Sequence, residues 1–394
     1  MTGRAPLPGW ARWGHDPARP SWTVGMEEEV MLLDPSSWEL AHRIDDVLPE
    51  LPPELSAHVC AETHACTLEL ATGVHETVRQ ASAELLELRQ ALADALEALG
   101  LRAAVAGTHP SPGAELTQVS GGARYQVLEH GLRDLARREP TFALHVHVGV
   151  PMPELALAAA DRLRAHLALI LALSSNSPFW RGRDSGMASI RTPLFQAFPR
   201  SGIPRRFGSY EEYIESIDVL LRADAFPEPT FVWWDVRLQP RFGTVEVRIA
   251  DAQTTVGEAA ALAALIQVLV RLEATERLAA PPLLEALEVL NENRFLASRD
   301  GSKAEFVAVD GPSVSVERAL GEVHAAGLPH ARDLDCRGEF SATRDLLAVP
   351  PAERQRRLAR EHGLGAMVAQ LAECFLDDGA TAAPAPHAGE AAAM

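Results

Sequence analysis

Five short segments of this chain place polar residues at every second position, with apolar residues between them. They are Gly25–Leu33 with Glu27, Glu28 and Glu29; Cys66–Leu70 with Thr67 and Glu69; Leu144–Val148 with His145 and His147; Trp233–Leu238 with Asp235 and Arg237; and Thr244–Ile249 with Glu246 and Arg248. A period of two is that of a β-strand, whose successive side chains face opposite ways. Glu27 therefore shares a face with Glu29, His145 with His147, and Glu246 with Arg248. If these strands are neighbours, one sheet packs its apolar side on helices and gathers carboxylates, imidazoles and a guanidinium on the other. Such a gathering repels itself unless cations sit in it.

Helical spacing accounts for much of the rest. Val78, Ala81, Leu85, Leu88, Leu92, Leu96 and Leu99 mark an amphipathic helix that stops at Gly100. A strand over 101–106 and a polar loop over Gly113–Arg124 follow. Helices are expected at about 154–174, 210–221, 257–278, 282–298 and 351–376. The stretch 176–209, dense in Arg, Pro, Gly and Ser, reads as one long irregular loop, and loops of that length are more often functional than idle. Hairpin-like and helix-separated strands together indicate an α+β domain on one mainly antiparallel sheet. Residues 1–20 are expected to be a flexible N-terminal segment, 21–378 a single catalytic domain, and 379–394 a disordered tail.

The net charge of −18 opposes attraction to nucleic acid or anionic lipid. It leaves nucleotides open as ligands, since phosphates are met by a few local arginines and metal ions. Four cysteines without metal-type spacing indicate neither a disulfide scaffold nor a zinc site, and a cytoplasmic location is the default. The apolar stretch 155–173 carries Asp161, Arg162, Arg164 and His166, and 259–270 is shorter than the roughly 20 residues of a membrane span. Both read as buried helices, and such helices are compatible with a homo-oligomer.

Each polar group has two readings on spacing alone. The acidic triplet is a charged strand edge or, because Met31, Leu32 and Leu33 carry the strand into the core, a cation site. His145 and His147 are a structural pair or metal ligands. Glu246 and Arg248 are a surface ion pair, or a metal-binding carboxylate beside an arginine that stabilises phosphoryl charge. Trp233 and Trp234 pack or form a platform. Arg181, Arg183, Arg191, Arg200, Arg205 and Arg206 are a solvated run or hold a substrate anion.

In order along residues 21–304 stand Val24-Gly-Met-Glu-Glu-Glu, Glu62 through Leu70-Ala-Thr, His145-Val-His-Val-Gly, Ser174-Ser-Asn-Ser-Pro-Phe-Trp, Gly186 through Arg191, Phe198-Pro-Arg-Ser-Gly-Ile-Pro, Trp233-Trp-Asp-Val-Arg, Gly243-Thr-Val-Glu-Val-Arg and Glu292-Asn-Arg. Together they resemble the carboxylate-amine ligase family related to bacterial glutamate–cysteine ligases, of the glutamate–cysteine ligase 2 type. The resemblance implies a glutamine synthetase-like fold in which a curved, mainly antiparallel sheet with flanking helices holds ATP and divalent metal, Mg²⁺ or Mn²⁺. By it, Glu29, Glu62 and Glu69 surround one ion and Glu27, His145 and Glu246 a second. His147, Arg237 and Arg248 lie at the nucleotide, with Arg248 and Glu246 catalytic, and Arg181, Arg191, Arg200 and Trp234 bind substrate. Met26 stands where the family more often has Val, and the chain after Phe306 departs from the pattern.

The implied reaction is ATP-dependent amide formation through an acyl phosphate, with glutamate and cysteine as the family's pair and small-molecule carboxylate and amine substrates as partners. The rivals are a guanidino-kinase-like phosphotransferase, a metal-dependent amide hydrolase and a non-catalytic nucleotide-binding paralogue.

Overall fold

The computed structural model describes residues 7–110 and 117–379. Its centre is a seven-stranded sheet built from β1 (Val24–Leu33), β2 (Val59–Ala61), β3 (Thr67–Ala71), β4 (Arg102–Ala104), β5 (Leu144–Gly149), β6 (Val236–Gln239) and β7 (Thr244–Val247). The order across the sheet is β6-β7-β5-β1-β3-β2, with β4 beside the end of β1. Every pairing in it is antiparallel. All five alternating segments lie in or beside this sheet.

Two helices floor the apolar side. Helix α1 (Val78–Ala98) begins with a reciprocal capping box between Thr77 and Gln80, which satisfies two otherwise orphaned backbone donors. It ends before Gly100, whose φ of +71° is the left-handed turn that glycine adopts without strain. The sheet-facing row Val78, Ala81, Leu85, Leu92 and Leu96 is fully buried. At about 25 cal/mol per Å² such a row contributes most of this helix's stability, since amphipathic packing outweighs propensity.

Further along the chain come α2 (Ala123–Leu132), α3 (Pro153–Leu163), α4 (Leu167–Ser174), α5 (Tyr210–Arg222) and α6 (Val256–Thr275). Helix α6, capped by Thr255 and Glu258, is apolar on nearly every side because it packs on the sheet and on other helices at once. After it come α7 (Leu287–Asp300), α8 (Val316–Asp333), α9 (Arg337–Ala348), α10 (Pro351–His362) and α11 (Leu364–Glu373). Among the described residues no helix is long and apolar enough to cross a membrane.

Several expectations are corrected. The single helix over 154–174 is two, α3 and α4, turning at Arg164–His166, where His166 Nε2 meets Glu273 Oε1 of α6 at 2.5 Å. The helix over 351–376 breaks at Gly363, φ +85°. Helices α2, α8 and α9 were not anticipated. The loop over Gly113–Arg124 falls partly outside the described residues, and α2 begins at Ala123. The N-terminal segment is anchored where it is described: Ala11 is fully buried, and Trp13 Nε1 donates to the Val150 carbonyl at 2.8 Å. The expected tail beyond 379 lies outside the described residues.

The stretch 176–209 is irregular but tightly held. Asp251, fully buried, accepts from the Asn176 amide at 2.8 Å, from Ser177 Oγ at 2.7 Å and from Ser189 Oγ at 2.8 Å. Gly107 lies against it: a Cβ there would stand 2.6 Å from the Asp251 carboxylate. Farther along, Ser201–Gly202 pairs in parallel with Trp233–Trp234.

Candidate active site

Register alone assembles the polar face. Glu27 pairs with His145 across β1 and β5, Glu29 with Glu69 across β1 and β3, Glu246 with His147 across β7 and β5, and Arg237 with Glu246 across β6 and β7. Cross-strand partners stand about 4.5–5.5 Å apart at Cβ, so each pair meets on one face. Glu28 points the other way, into the core, where Arg89 takes both its oxygens.

Around Glu27, His145 Nδ1 is 3.3 Å from Oε2 and His147 Nε2 is 3.2 Å from Oε1. Burial works against ionising Glu27, but His147 and then His145 outweigh it and hold its carboxyl well below the usual range. His147 Nδ1 lies 3.0 Å from Thr244 Oγ1, which leaves Nε2 turned toward the carboxylates, 3.2 Å from Glu27 Oε1 and 3.9 Å from Glu246 Oε1. Glu246 is fully buried. Arg237 grips it by two bonds, Nε to Oε2 at 2.6 Å and Nη2 to Oε1 at 3.1 Å, and Arg248 Nη1 donates to Oε1 as well. Burial again opposes the charge, and the two guanidinium groups override it, so Glu246 remains ionised.

The β3 side lacks such compensation. Burial and then the charge of Glu62 push Glu29 up to about 8. Burial followed by Glu27, Glu62 and Glu29 pushes Glu69 well above the carboxylate range. Burial, then Arg248, drives His145 down to about 4, keeping the imidazole neutral and able to ligate.

Two sets of donor atoms converge here, each within 4.8 Å of one another: Glu27, His145 and Glu246, and Glu29, Glu69 and His145. The set fits a hard divalent cation. It is carboxylate-rich with one neutral imidazole, and on the β3 side burial and mutual repulsion of the carboxylates outweigh the charges of Arg191 and Arg248. Glu62 acts on Glu29 and Glu69 by its charge, while its Oε2 accepts from the Thr63 amide at 2.9 Å and it is not among the converging donors.

The arginines expected at substrate separate. Arg191 is buried at the floor, donating to the carbonyls of Ile249 at 3.1 Å and Arg248 at 3.3 Å, with Nε unpartnered. Its charge reaches Glu29. Arg237 has Nε, Nη1 and Nη2 all engaged, the Nη1 donors on Thr230 O and Val232 O, which makes it an anchor for Glu246. Arg181 pairs with Glu139 at 2.6 Å. Arg200 lies in a separate cavity wall. Trp234 packs 5.7 Å from Phe207 and 6.0 Å from Tyr213.

Sequence reasoning missed Thr244, although it sits two residues from Glu246 and so on the same face. It also missed Cys60, opposite Glu69 with Sγ 3.5 Å from Oε1, and Arg294, which holds Asp235 at 2.6 and 3.2 Å. Period two carries the first; the others depend on long-range pairing.

The model of glutamate–cysteine ligase family 2 (GCS2) matches residues 23–373. The chain belongs to this family. It is an enzyme of the ATP-dependent ligase class. A Rubrobacter xylanophilus protein provisionally named glutamate–cysteine ligase 2-3 is 40% identical over 361 residues, covering 90% of this chain and 98% of its own. A Thermobifida fusca protein provisionally named glutamate–cysteine ligase 2 is 34% identical over 353 residues, 87% and 88% of the two chains. Among solved structures, a glutamate–cysteine ligase from Francisella tularensis in complex with AMP superposes with a TM-score of 0.69 at 13% identity, covering 93% of this chain and 89% of that one. A bifunctional glutathione synthetase from Pasteurella multocida gives the same TM-score and identity, and this chain spans 52% of its length. The fold is the glutamine synthetase-like α+β arrangement expected from the sequence.

Proposed function

We propose that this protein joins a small-molecule carboxylate to an amine at the expense of ATP, and that the polar face of the sheet is where it does so. The observation that carries this reading is the pair of donor clusters sharing His145, with Arg248 beside them. A free carboxylate is a poor acyl donor. In the proposed reaction a carboxylate oxygen attacks the γ-phosphorus of ATP, ADP leaves, and the amine nitrogen then adds to the acyl carbon. The carbon–oxygen bond to phosphate breaks, and the nitrogen loses its proton.

Divalent ions held by Glu27, His145 and Glu246, and by Glu29 and Glu69 with His145, would neutralise phosphate charge, with Glu62 adding negative potential nearby. The chain's own residues do the rest. Arg248 offers a guanidinium to the transferred phosphoryl group, held in place by Glu246. Arg237 fixes Glu246 so that it cannot follow a mobile cation. His147, braced by Thr244, turns its Nε2 to Glu27 on the face where the phosphates would lie. Arg191 keeps positive potential under Glu29, where the substrate carboxylate must approach acidic residues.

Glutamate and cysteine are the first pair to test, because the family description and the names of the relatives point there. A cytoplasmic location accords with ATP use. The test is Mg²⁺-dependent ADP release across a panel of amino acids, with mass analysis of products. ADP with an amide adduct upholds the reading; ADP with a stable phosphorylated guanidine replaces it by a kinase; absence of ATP binding removes it.

A further inference from the structure

A cavity of about 670 Å³ lies between α2 and residues 224–231, lined by none of the residues of the donor clusters, and its size is that of a small-molecule site. Leu128 and Leu132 of α2 and Phe226 and Phe231 opposite give it apolar walls. One guanidinium enters it. Arg200 donates Nε to the Phe231 carbonyl at 2.9 Å and lies 4.9 Å from the Phe226 ring and 5.2 Å from that of Trp233. Among the described residues no carboxylate pairs with it.

Asp224 also lines the cavity and is exposed. Arg200 and Asp224 both take left-handed backbone, at φ +61° and +52°, a conformation uncommon outside glycine. At Arg200 it is held by the bond from the Trp233 amide to its carbonyl, 2.9 Å. The chain thus accepts strain at two charged positions facing one apolar space, the kind of cost that persists where a ligand is gripped.

Helix α2 roofs the cavity and is tied at both sides. Tyr125 Oη donates to the Ala61 carbonyl at the end of β2, and Arg124 reaches Glu228 and, at 3.2 Å, Thr230 Oγ1. Thr230 in turn accepts from Arg237, which grips Glu246. Thr230, next in sequence to the wall residue Phe231, therefore links the helix that roofs the cavity to the candidate active site.

We propose that this cavity binds a small amino-acid-type ligand, its carboxylate on Arg200, its ammonium toward Asp224 and its apolar body against Phe226, Leu128 and Leu132. The walls favour an aromatic or branched side chain. A ligand that carries an amine suits the amine substrate of the ligase; that link rests on the ligase reading, whereas binding itself does not.

Calorimetric titration of the full chain with L-phenylalanine, 3-phenylpropionate and 2-phenylethylamine separates the contributions. L-Phenylalanine is expected to bind tightest, and phenylethylamine, lacking the carboxylate, about tenfold or more weaker, the scale of a charge-assisted hydrogen bond. Arg200→Gln should erase that difference. Val127→Trp, a change at an exposed residue lining the cavity, should weaken all three. Unchanged L-phenylalanine affinity in Arg200→Gln, or no binding to the wild type, overturns the proposal. L-Phenylalanine binding without ADP release upholds the site and removes only its link to the ligase.

Discussion

Arg89 and Glu28 form an ion pair with no solvent exposure on either side chain, beneath the strand that presents Glu27 and Glu29. Arg89 also donates to the carbonyls of Thr254 at 3.0 Å, Gln253 at 2.9 Å and Phe375 at 2.8 Å. The middle glutamate of the triplet thus ties the underside of β1 to the entry of α6 and to the C-terminal end of the described chain.

Removing one partner leaves a buried charge uncompensated, which costs about 3–5 kcal/mol. Arg89→Met is expected to lower the unfolding free energy by that amount in urea titration. The double variant Arg89→Met with Glu28→Leu should recover part of it. A single variant as stable as the wild type would mean that the pair is not buried.

Glu246 sits between two arginines on the polar face. Glu246→Gln removes its charge, releases Arg248 and deletes a donor from one cluster. ADP release should fall by about a hundredfold or more, the scale of losing a preorganised electrostatic partner. Retention of full activity in this variant, or in Glu27→Gln, removes the site assignment.

Arg248→Lys keeps a charge but loses the planar fork that reaches Glu246 while leaving donors for a phosphoryl group. A drop in kcat of about ten- to a hundredfold, with KM for ATP nearly unchanged, is expected from steady-state kinetics if the contact forms chiefly in the transition state. A change confined to KM would place Arg248 in ground-state nucleotide binding instead.

Asp161, on α3 away from the site, supplies a pH dependence. Burial pushes its carboxyl up to about 6 against an ordinary 3.8. The folded state then binds the proton more tightly than the unfolded one, so this group's contribution is full below pH 3.8 and is lost as pH rises to about 6. Asp161→Asn should abolish that share of the dependence and, above pH 6, be more stable than the wild type by up to about 3 kcal/mol. Parallel pH–stability curves for the two proteins would contradict it.

Legibility in the sequence followed the range of the interactions. Period two put Glu27, Glu29, His145, His147 and Glu246 on strand faces, and spacing with a capping residue gave α1, because both signals are local. Arg89 stands 61 residues from Glu28, and Asp251 more than 60 from the serines it holds, so neither the buried pair nor the order in 176–209 leaves a local trace. Arg181, Arg191 and Arg200 look alike in sequence. Their surroundings, an ion pair, a buried floor and an apolar cavity, exist only after folding. The break between α3 and α4 was equally hidden, since His166 meets Glu273 across a hundred residues of chain.

The central claim is that a substrate carboxylate is phosphorylated on this face. It is tested most directly by supplying glutamate with ¹⁸O in its carboxylates, cysteine, ATP and Mg²⁺, and analysing the released phosphate by mass. An acyl phosphate transfers labelled oxygen to phosphate as the amide forms, and that is the predicted result. Unlabelled phosphate accompanying amide formation would contradict the account.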